Sequence, residues 1–488
     1  MKLFLQILFF YFSFSALYGQ NAIQASINRL AADPALKHAG FGVCVVNLQN
    51  GQVVASHAPE RSLVPASSLK LLAAATALSV LGPNYRYTTD LQIQGDVDEQ
   101  GILHGNVIIK GSGDPSLASA EWTEAIAFDQ FLEKFKLSIQ QNGIRQIEGY
   151  IIGDDAHFST AVTPQSWSFN DLGNYYAAGV HGLNIHDNLY YLQFKQSTGI
   201  GQSPAVYSVT PSIPDLQIVN EVRSAGKNTG DNAYIYGSPF TYLRYIRGSI
   251  PVGNGYFKIK GAIPDPALVA AQQLQAVLRQ SGIQAGKGAT TSRLMSIRQE
   301  KDERPAKTLV RQYSPRLSQI IERNLYRSVN LYSEALVHTL GKNKKNEGST
   351  DKGLEVIAEF WSGQNIDMGA AFLDDGSGLS AKNAISAGLL ARILRKMAQL
   401  PHFETFKNCI PLGGRSGSIS RKFKGTAAEG KVWAKSGTLA RVRTYAGYAH
   451  SNSGEKYSFA IFVNNYSGRG SLIRQKLDRF LVDLCRSQ

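Results

Sequence analysis

The 488 residues are enough for two to four domains at about 100–200 residues each. Hydrophobic residues make up 43% and charged residues 18%, a folded composition that excludes wholesale disorder. Lys and Arg exceed Asp and Glu by 51 − 37 = 14, yet the basic residues are scattered, and the densest run is Lys342-Asn343-Lys344-Lys345. Neither zinc-finger spacing nor an RNA-binding aromatic motif accompanies them, so no nucleic-acid partner is expected. The charge reads as a solvated basic surface, or as one facing a polyanionic substrate. Three cysteines are too few for a disulfide scaffold and lie too far apart for zinc spacing.

The chain opens with Met1-Lys2, an almost wholly apolar stretch from Leu3 to Tyr18, and small residues around Ala16 and Gly19. This pattern predicts a secretory signal peptide over residues 1–20. The apolar run is short of the ~20 residues a spanning helix needs. The mature chain is therefore expected to be exported, with the periplasm as its destination and no transmembrane anchor after signal removal. Cys44, Cys409 and Cys485 are odd in number and read as buried free thiols.

Phe41–Leu48 and Gln52–His57 read as two strands joined by the turn signal Asn50-Gly51. A helix rich in Ala and Leu is predicted from Pro65 through Val80, stopped by Gly82-Pro83. From Tyr85 to about Gly288, short alternating runs punctuated by Gly, Asp and Pro read as β-rich, with two helical runs at Trp122–Gln141 and Pro266–Gln280. Helical texture returns at Pro315–Leu340, Asp351–Gly363 and Ser386–Gln399; strands are predicted at Lys431–Ser436 and Tyr457–Val463, and a last amphipathic helix at Ser471–Cys485. An α/β (α+β) unit, residues 21–84 plus 289–488, is thus interrupted by inserted β-rich material over 85–288, one or two extra domains in size.

Three short motifs carry the chemistry. In Ser67-Ser68-Leu69-Lys70, i and i+3 share a helical face, so the hydroxyl and the amine converge. A serine alcohol needs a base to take its proton, and a lysine serves if desolvation and neighbouring charge lower its pKa. In Ser328-Val329-Asn330 the hydroxyl is suited to relay a proton and the amide to hold a carbonyl or the base. In Lys435-Ser436-Gly437-Thr438, at a strand end, the lysine and hydroxyls can grip a carboxylate. Gly437 permits close backbone approach, and the N–H groups of Thr438 and Ser67 can point at one oxyanion. Each motif alone is unspecific.

Their order is the specific signal. The ordered Ser-x-x-Lys, Ser-x-Asn and Lys-Ser-Gly set resembles that of penicillin-binding proteins and class A β-lactamases. The chain is more closely similar to the D-alanyl-D-alanine carboxypeptidase/endopeptidase family, the class C low-molecular-mass penicillin-binding proteins. That family inserts a large region between the first two motifs, and here 328 − 70 = 258 positions separate them. Further segments that carry the resemblance are Lys110–Leu117, Gly153–Asp155, Asn184–Asn188, Asn330–Glu334 and Asp375–Ser380. Ser436 departs from the commoner threonine but keeps the hydroxyl.

The resemblance implies a transpeptidase/β-lactamase-like fold with an insertion of mainly β structure. It implies a serine D,D-peptidase of peptidoglycan that removes terminal D-Ala and cleaves D-Ala–diaminopimelate crosslinks through an acyl-enzyme on Ser67. It implies Lys70 as acylation base, Ser328 as proton bridge and Asn330 as orienter of substrate and Lys70. Lys435, Ser436, Gly437 and Thr438 then form the substrate-binding segment. Peptidoglycan peptide stems and β-lactams are the implied partners, and no metal or cofactor is called for. The alternatives are a β-lactamase-like hydrolase or a catalytically weak peptidoglycan-binding protein. Glu334, four residues after Asn330 in a helix-like run, does not read as a deacylating base. His181 and His186, five apart, read as core or surface polar residues, not a metal pair. Asp114, Asp154 and Asp155 read as turn caps, and the turns at Asp375–Gly378 and Gly413–Gly417 as borders of the cleft.

Overall fold

The computed structural model describes residues 22–300 and 302–487. The predicted signal peptide lies outside the described residues. The chain divides into two compact units. One takes in the chain up to Tyr85, Leu317–Leu340 and Thr350–Gln488; the other takes in Arg86–Arg316 and Gly341–Ser349. Among the described residues no helix is long and apolar enough to cross a membrane.

The first unit is built on a five-stranded antiparallel sheet. Its strands are β1 (Gly40–Asn47), β2 (Val53–His57), β3 (Val432–Leu439), β4 (Val442–His450) and β5 (Lys456–Asn464), in the order β2-β1-β5-β4-β3. Successive side chains of a strand face opposite ways. In β1, Val43 and Val45 enter one core while Cys44 and Val46 enter another. Both faces of the sheet are therefore covered, which explains why β1 reads as a continuous apolar run. Helix α1 (residues 22–31) and α2 (Lys70–Leu81) follow, then α3 (Leu317–Arg327), α4 (Asn330–Lys345), α5 (Thr350–Gly363), α6 (Ala387–Met397) and α7 (Gly470–Arg486). α1 and α7 pack on one face; α2, α3, α5 and α6 pack on the other. α2 is buried from Lys70 to Leu78, the mark of a central helix without a solvent face. Gly82, at φ 81°, ends it by donating its N–H to the Leu78 carbonyl.

The structure departs from the expected elements in places that matter. The run Pro315–Leu340 is two helices, broken where Ser328 adopts φ 59°. β4 was not legible: it carries Ala446, Gly447 and Ala449, poor strand formers, in a strand whose close neighbour demands glycine. A Cβ at Gly447 would lie 1.9 Å from the Trp433 carbonyl oxygen. The Trp122–Gln141 helix begins only at Phe128. The three cysteines are buried and unbridged, and burial pushes the Cys44 thiol up to about 11.

The second unit has two cores. The first lies under a five-stranded sheet of Gly288–Thr291, Tyr150–Asp154, Asn106–Gly111, Thr88–Gln94 and Ala306–Tyr313, packed by the helices Phe128–Gln141 and Pro266–Gln280. Ala306–Tyr313 is antiparallel to Thr88–Gln94. That pairing carries the second unit to Arg316, about 28 residues beyond the boundary near Gly288 expected from sequence texture. The second core joins two three-stranded sheets face to face through Tyr190, Leu192, Phe194, Val222, Ile235, Ile246 and Ile259.

Candidate active site

Ser67 enters on a 3-10 turn, Ala66–Leu69, that leads directly into α2. In a 3-10 turn side chains at i and i+3 eclipse, and the Lys70 Nζ stands 3.2 Å from Ser67 Oγ. The sequence placed Ser67 inside a regular helix; the tighter turn aligns the pair more closely. Two hydroxyls fix the entry: Thr444 Oγ1 and Ser68 Oγ donate to the Pro65 carbonyl at 2.8 and 2.6 Å. Two glycines close on the same segment. A Cβ at Gly437 would lie 2.8 Å from Pro65 O, and one at Gly378 only 2.0 Å from Ala66 O. The sequence assigned the bareness of Gly437 to an approaching substrate; here it also admits the protein's own backbone.

Lys70 is fully buried. Besides facing Ser67, its Nζ donates to Asn330 Oδ1 and to the Ser377 carbonyl, both at 2.6 Å. Burial drives its pKa from 10.5 down to about 8, against the pull of Asp375 and Glu334. Asn330 is the first residue of α4, and the left-handed Ser328 just before it turns the chain from α3 into that helix. A non-glycine residue at positive φ is costly enough to be worth a look; here it sits inside a motif. Ser328 Oγ accepts from Lys435 Nζ at 2.9 Å, and Lys435 also donates to Ser436 O at 2.9 Å. Lys435 is buried, and desolvation with the charge of Lys70 pushes its pKa well down. The edge strand β3 thus reaches the hydroxyl of the Ser-x-Asn motif. Ser436 is half-buried and Thr438 exposed, and strand alternation sets both on the face opposite Lys435 and Gly437.

Two carboxylates lie beneath the lysine, Glu334, which the sequence showed only as no deacylating base, and Asp375, which it showed only as part of a turn bordering the cleft. Glu334, one turn along α4 from Asn330, is buried and accepts the Gly376 N–H at 3.1 Å. Asp375, also buried, accepts from Gly378 N (2.6 Å), Ser380 N (2.7 Å) and Asn383 Nδ2 (2.8 Å). Together they hold the turn that delivers the Ser377 carbonyl to Lys70. Burial, reinforced by Asp375, pushes the Glu334 carboxyl up to about 8. The signal available was the i+4 spacing of Glu334 from Asn330 on one helix face. The glycine run Gly413–Gly417 lies against β3 through the Leu412–Trp433 bridge.

The remaining polar candidates belong to the second unit. His181 is buried with Nδ1 3.7 Å from Asp155, and His186 Nδ1 bonds the Leu189 carbonyl at 2.8 Å. Asp114 and Asp154 accept N–H groups two residues on, as turn caps do. Asp155 instead accepts from Ser292 Oγ at 3.0 Å, 137 residues away, so it joins two segments and does not cap a local turn. Among the described residues no group of three His, Cys, Asp or Glu is arranged to hold a metal ion.

The model of the D-Ala-D-Ala carboxypeptidase 3 (S13) family matches residues 23–484. A D-alanyl-D-alanine carboxypeptidase of Actinomadura sp. (strain R39) is 28% identical over 476 residues, covering 93% of this chain and 83% of its own. The crystal structure of penicillin binding protein 4 (dacB) from Haemophilus influenzae superposes with a TM-score of 0.79 at 23% identity, covering 94% of this chain and 98% of that one. A predatory endopeptidase from Bdellovibrio bacteriovorus shares the fold at a TM-score of 0.52 and 13% identity, over 92% and 93% of the two chains. With a family model matched from end to end of the folded chain, around a half-buried serine and its buried lysine on a transpeptidase-like sheet, the chain belongs to the D-Ala-D-Ala carboxypeptidase 3 (S13) family of serine peptidases.

Proposed function

We propose that the chain removes terminal D-Ala from peptidoglycan stems and cuts D-Ala–diaminopimelate crosslinks, both through an acyl-enzyme on Ser67, and that penicillin acylates the same hydroxyl. The observation that carries this reading is the set of three partners around Lys70 Nζ. A neutral amine has two N–H bonds and one lone pair. Asn330 Oδ1 and Ser377 O take the two N–H bonds, which leaves the lone pair for the proton of Ser67. A buried lysine with a lowered pKa is suited to be that base.

Ser67 Oγ then adds to the carbonyl carbon of the penultimate D-Ala while its proton passes to Lys70. The N–H groups of Ser67 and Thr438 receive the oxyanion. The C–N bond breaks, and Ser328 relays a proton to the departing amine. Water hydrolyses the ester and restores the serine. Ser436 and Thr438 present their hydroxyls to the terminal carboxylate, and Lys435, on the other face of that strand, adds its charge from behind them. A β-lactam ring amide presents the same bond, but its nitrogen stays tethered after acylation. The endopeptidase half draws support from the predatory endopeptidase sharing the fold, and the penicillin step from the name of penicillin binding protein 4. Export follows from the signal-like N-terminus and from the substrate's place outside the cytoplasm.

The test is mass spectrometry of purified muropeptides after digestion, with penicillin labelling in parallel. Pentapeptides should lose one D-Ala, dimers should fall to monomers, and one penicillin adduct should form and vanish in Ser67→Ala. Dimers that stay intact after complete trimming reject the crosslink-cutting half, and an adduct that persists in Ser67→Ala rejects the nucleophile.

A further inference from the structure

In the second unit, the strands Leu189–Lys195, Ala205–Thr210 and Tyr256–Ala262 form one sheet. Its inner residues, Tyr190, Leu192, Phe194 and Ile259, are buried in the core. Alternation turns Tyr191, Gln193 and Lys195 outward, with Lys260, Lys258 and Tyr256 directly opposite them on the neighbouring strand. Soluble proteins ordinarily give such a face to charged and small polar residues. Here aromatic rings stand out into solvent. A register shift between Val206 and Ser208 swings Tyr207 onto this face, where its ring lies 4.5 Å from that of Tyr256. The two rings are 60% and 51% exposed.

The cations on the face are arranged with the rings. Lys258 Nζ sits 4.6 Å over the Tyr191 ring, and Lys260 Nζ lies 5.5 Å from the ring of the exposed Tyr175. Lys260 is balanced by Glu121 at 2.7 Å. Lys195 and Lys258 have no acidic partner within ion-pair distance among the described residues. On the opposite outer face of the same two-sheet body Arg247 pairs with Glu221.

We propose that this tyrosine–lysine face is a docking surface for the peptide-bearing glycan of the cell wall. The identity of the polymer rests on the functional reading above. The warrant is complementarity. Electron-rich ring faces attract polarised C–H groups and cations, and each sugar ring of an amino-sugar polymer offers a flat C–H face. Free carboxylates on the peptide stems match the two unbalanced lysines. Gln193 and Ser208, bonded to each other at 3.2 Å, stand between them as donors and acceptors for sugar hydroxyls and amides. A long exposed polymer retained on this face would keep the enzyme on its substrate between turnovers.

The test uses the purified protein and two exposed double variants, Tyr207→Ala/Tyr256→Ala and Lys195→Gln/Lys258→Gln. Each is spun with purified peptidoglycan sacculi, and each is assayed on a soluble peptide ending in D-Ala–D-Ala. Retention on sacculi should fall about tenfold in the tyrosine pair, as expected for two lost aromatic contacts, and should fall also in the lysine pair. kcat/KM on the soluble peptide should be unchanged. Unchanged retention in both variants overturns the proposal. So does an equal loss of binding to anionic phospholipid vesicles, which would mark a general cationic patch. So does a wild-type dimer that light scattering shows as monomer in the variants, which would mark a contact between copies. A wild type inactive on the soluble peptide but still retained would instead refute the functional reading and leave the surface standing.

Discussion

The state of Lys70 gives the sharpest prediction. A lysine of pKa 10.5 is neutral in about 0.03% of molecules at pH 7, and one of pKa about 8 in about 9%, a net gain of roughly 300-fold as burial outweighs the charges of Asp375 and Glu334. If neutral Lys70 is the base, the rate of Ser67 acylation follows that fraction. The sign runs upward with pH: the active form is deprotonated, so the rate climbs through the lowered pKa and levels off above it. Between pH 6 and pH 8 it should rise about 50-fold. Intact-mass measurement of penicillin acylation from pH 5.5 to 9.5 reads this directly. Glu334 sharpens the test. Its carboxyl ionises over the same range, and its charge holds the ammonium form of Lys70, so Glu334→Gln should move the inflection to lower pH. Lys435→Gln serves as control, because a rise caused by the second buried lysine would disappear with it. A flat profile between pH 6 and 9, or an unbroken climb toward 10.5, refutes the assignment of Lys70 as a neutral base.

Asn330→Ala removes one acceptor that orients neutral Lys70, and loss of a buried hydrogen bond of about 1–3 kcal/mol should slow acylation by about 5- to 150-fold and lower thermal stability by a similar free energy. Gly378→Ala forces a Cβ to within 2.0 Å of the Ala66 carbonyl at φ 78°, so calorimetry should show a loss of about 2–4 kcal/mol, together with reduced acylation. Lys435→Ala should raise KM for peptides with a free C-terminal carboxylate. Amidating that carboxylate should harm the wild type far more than the variant, and equal losses would remove the carboxylate role.

What could be read in the sequence was what is local. Ser67 and Lys70 lie three residues apart on one turn, so their meeting needs no knowledge of the rest of the chain. The ordered motifs and the strand carrying Lys435 were legible for the same reason. The supports of Lys70 were not legible from spacing: Asn330 was reached only through the family resemblance and Ser377 not at all, because they meet Lys70 across 260 and 307 residues and no periodicity encodes such a contact. The left-handed turn at Ser328 was hidden because a serine at positive φ has no compositional mark, unlike glycine. The end of the second unit was missed because the strand Ala306–Tyr313 finds its partner more than 200 residues upstream. Glu334 was visible as a residue, but its burial, and so its chemistry, exists only once α4 packs under the turn at Asp375.

The chain leaves the first unit and returns to it at adjacent points, where Leu317 N–H donates to the Tyr85 carbonyl at 2.8 Å. Synthesis therefore delivers the nucleophile long before the groups that arm it. At roughly 5–20 residues per second, the 260 positions between Lys70 and Asn330 take about 13–50 s to make. Until then Lys70 has none of the burial that strips its proton, and Ser67 is an ordinary alcohol. In the order of synthesis, therefore, the Ser67–Lys70 pair is made first, and the groups that complete its surroundings, Asn330 and Ser377, lie in the last third of the polypeptide.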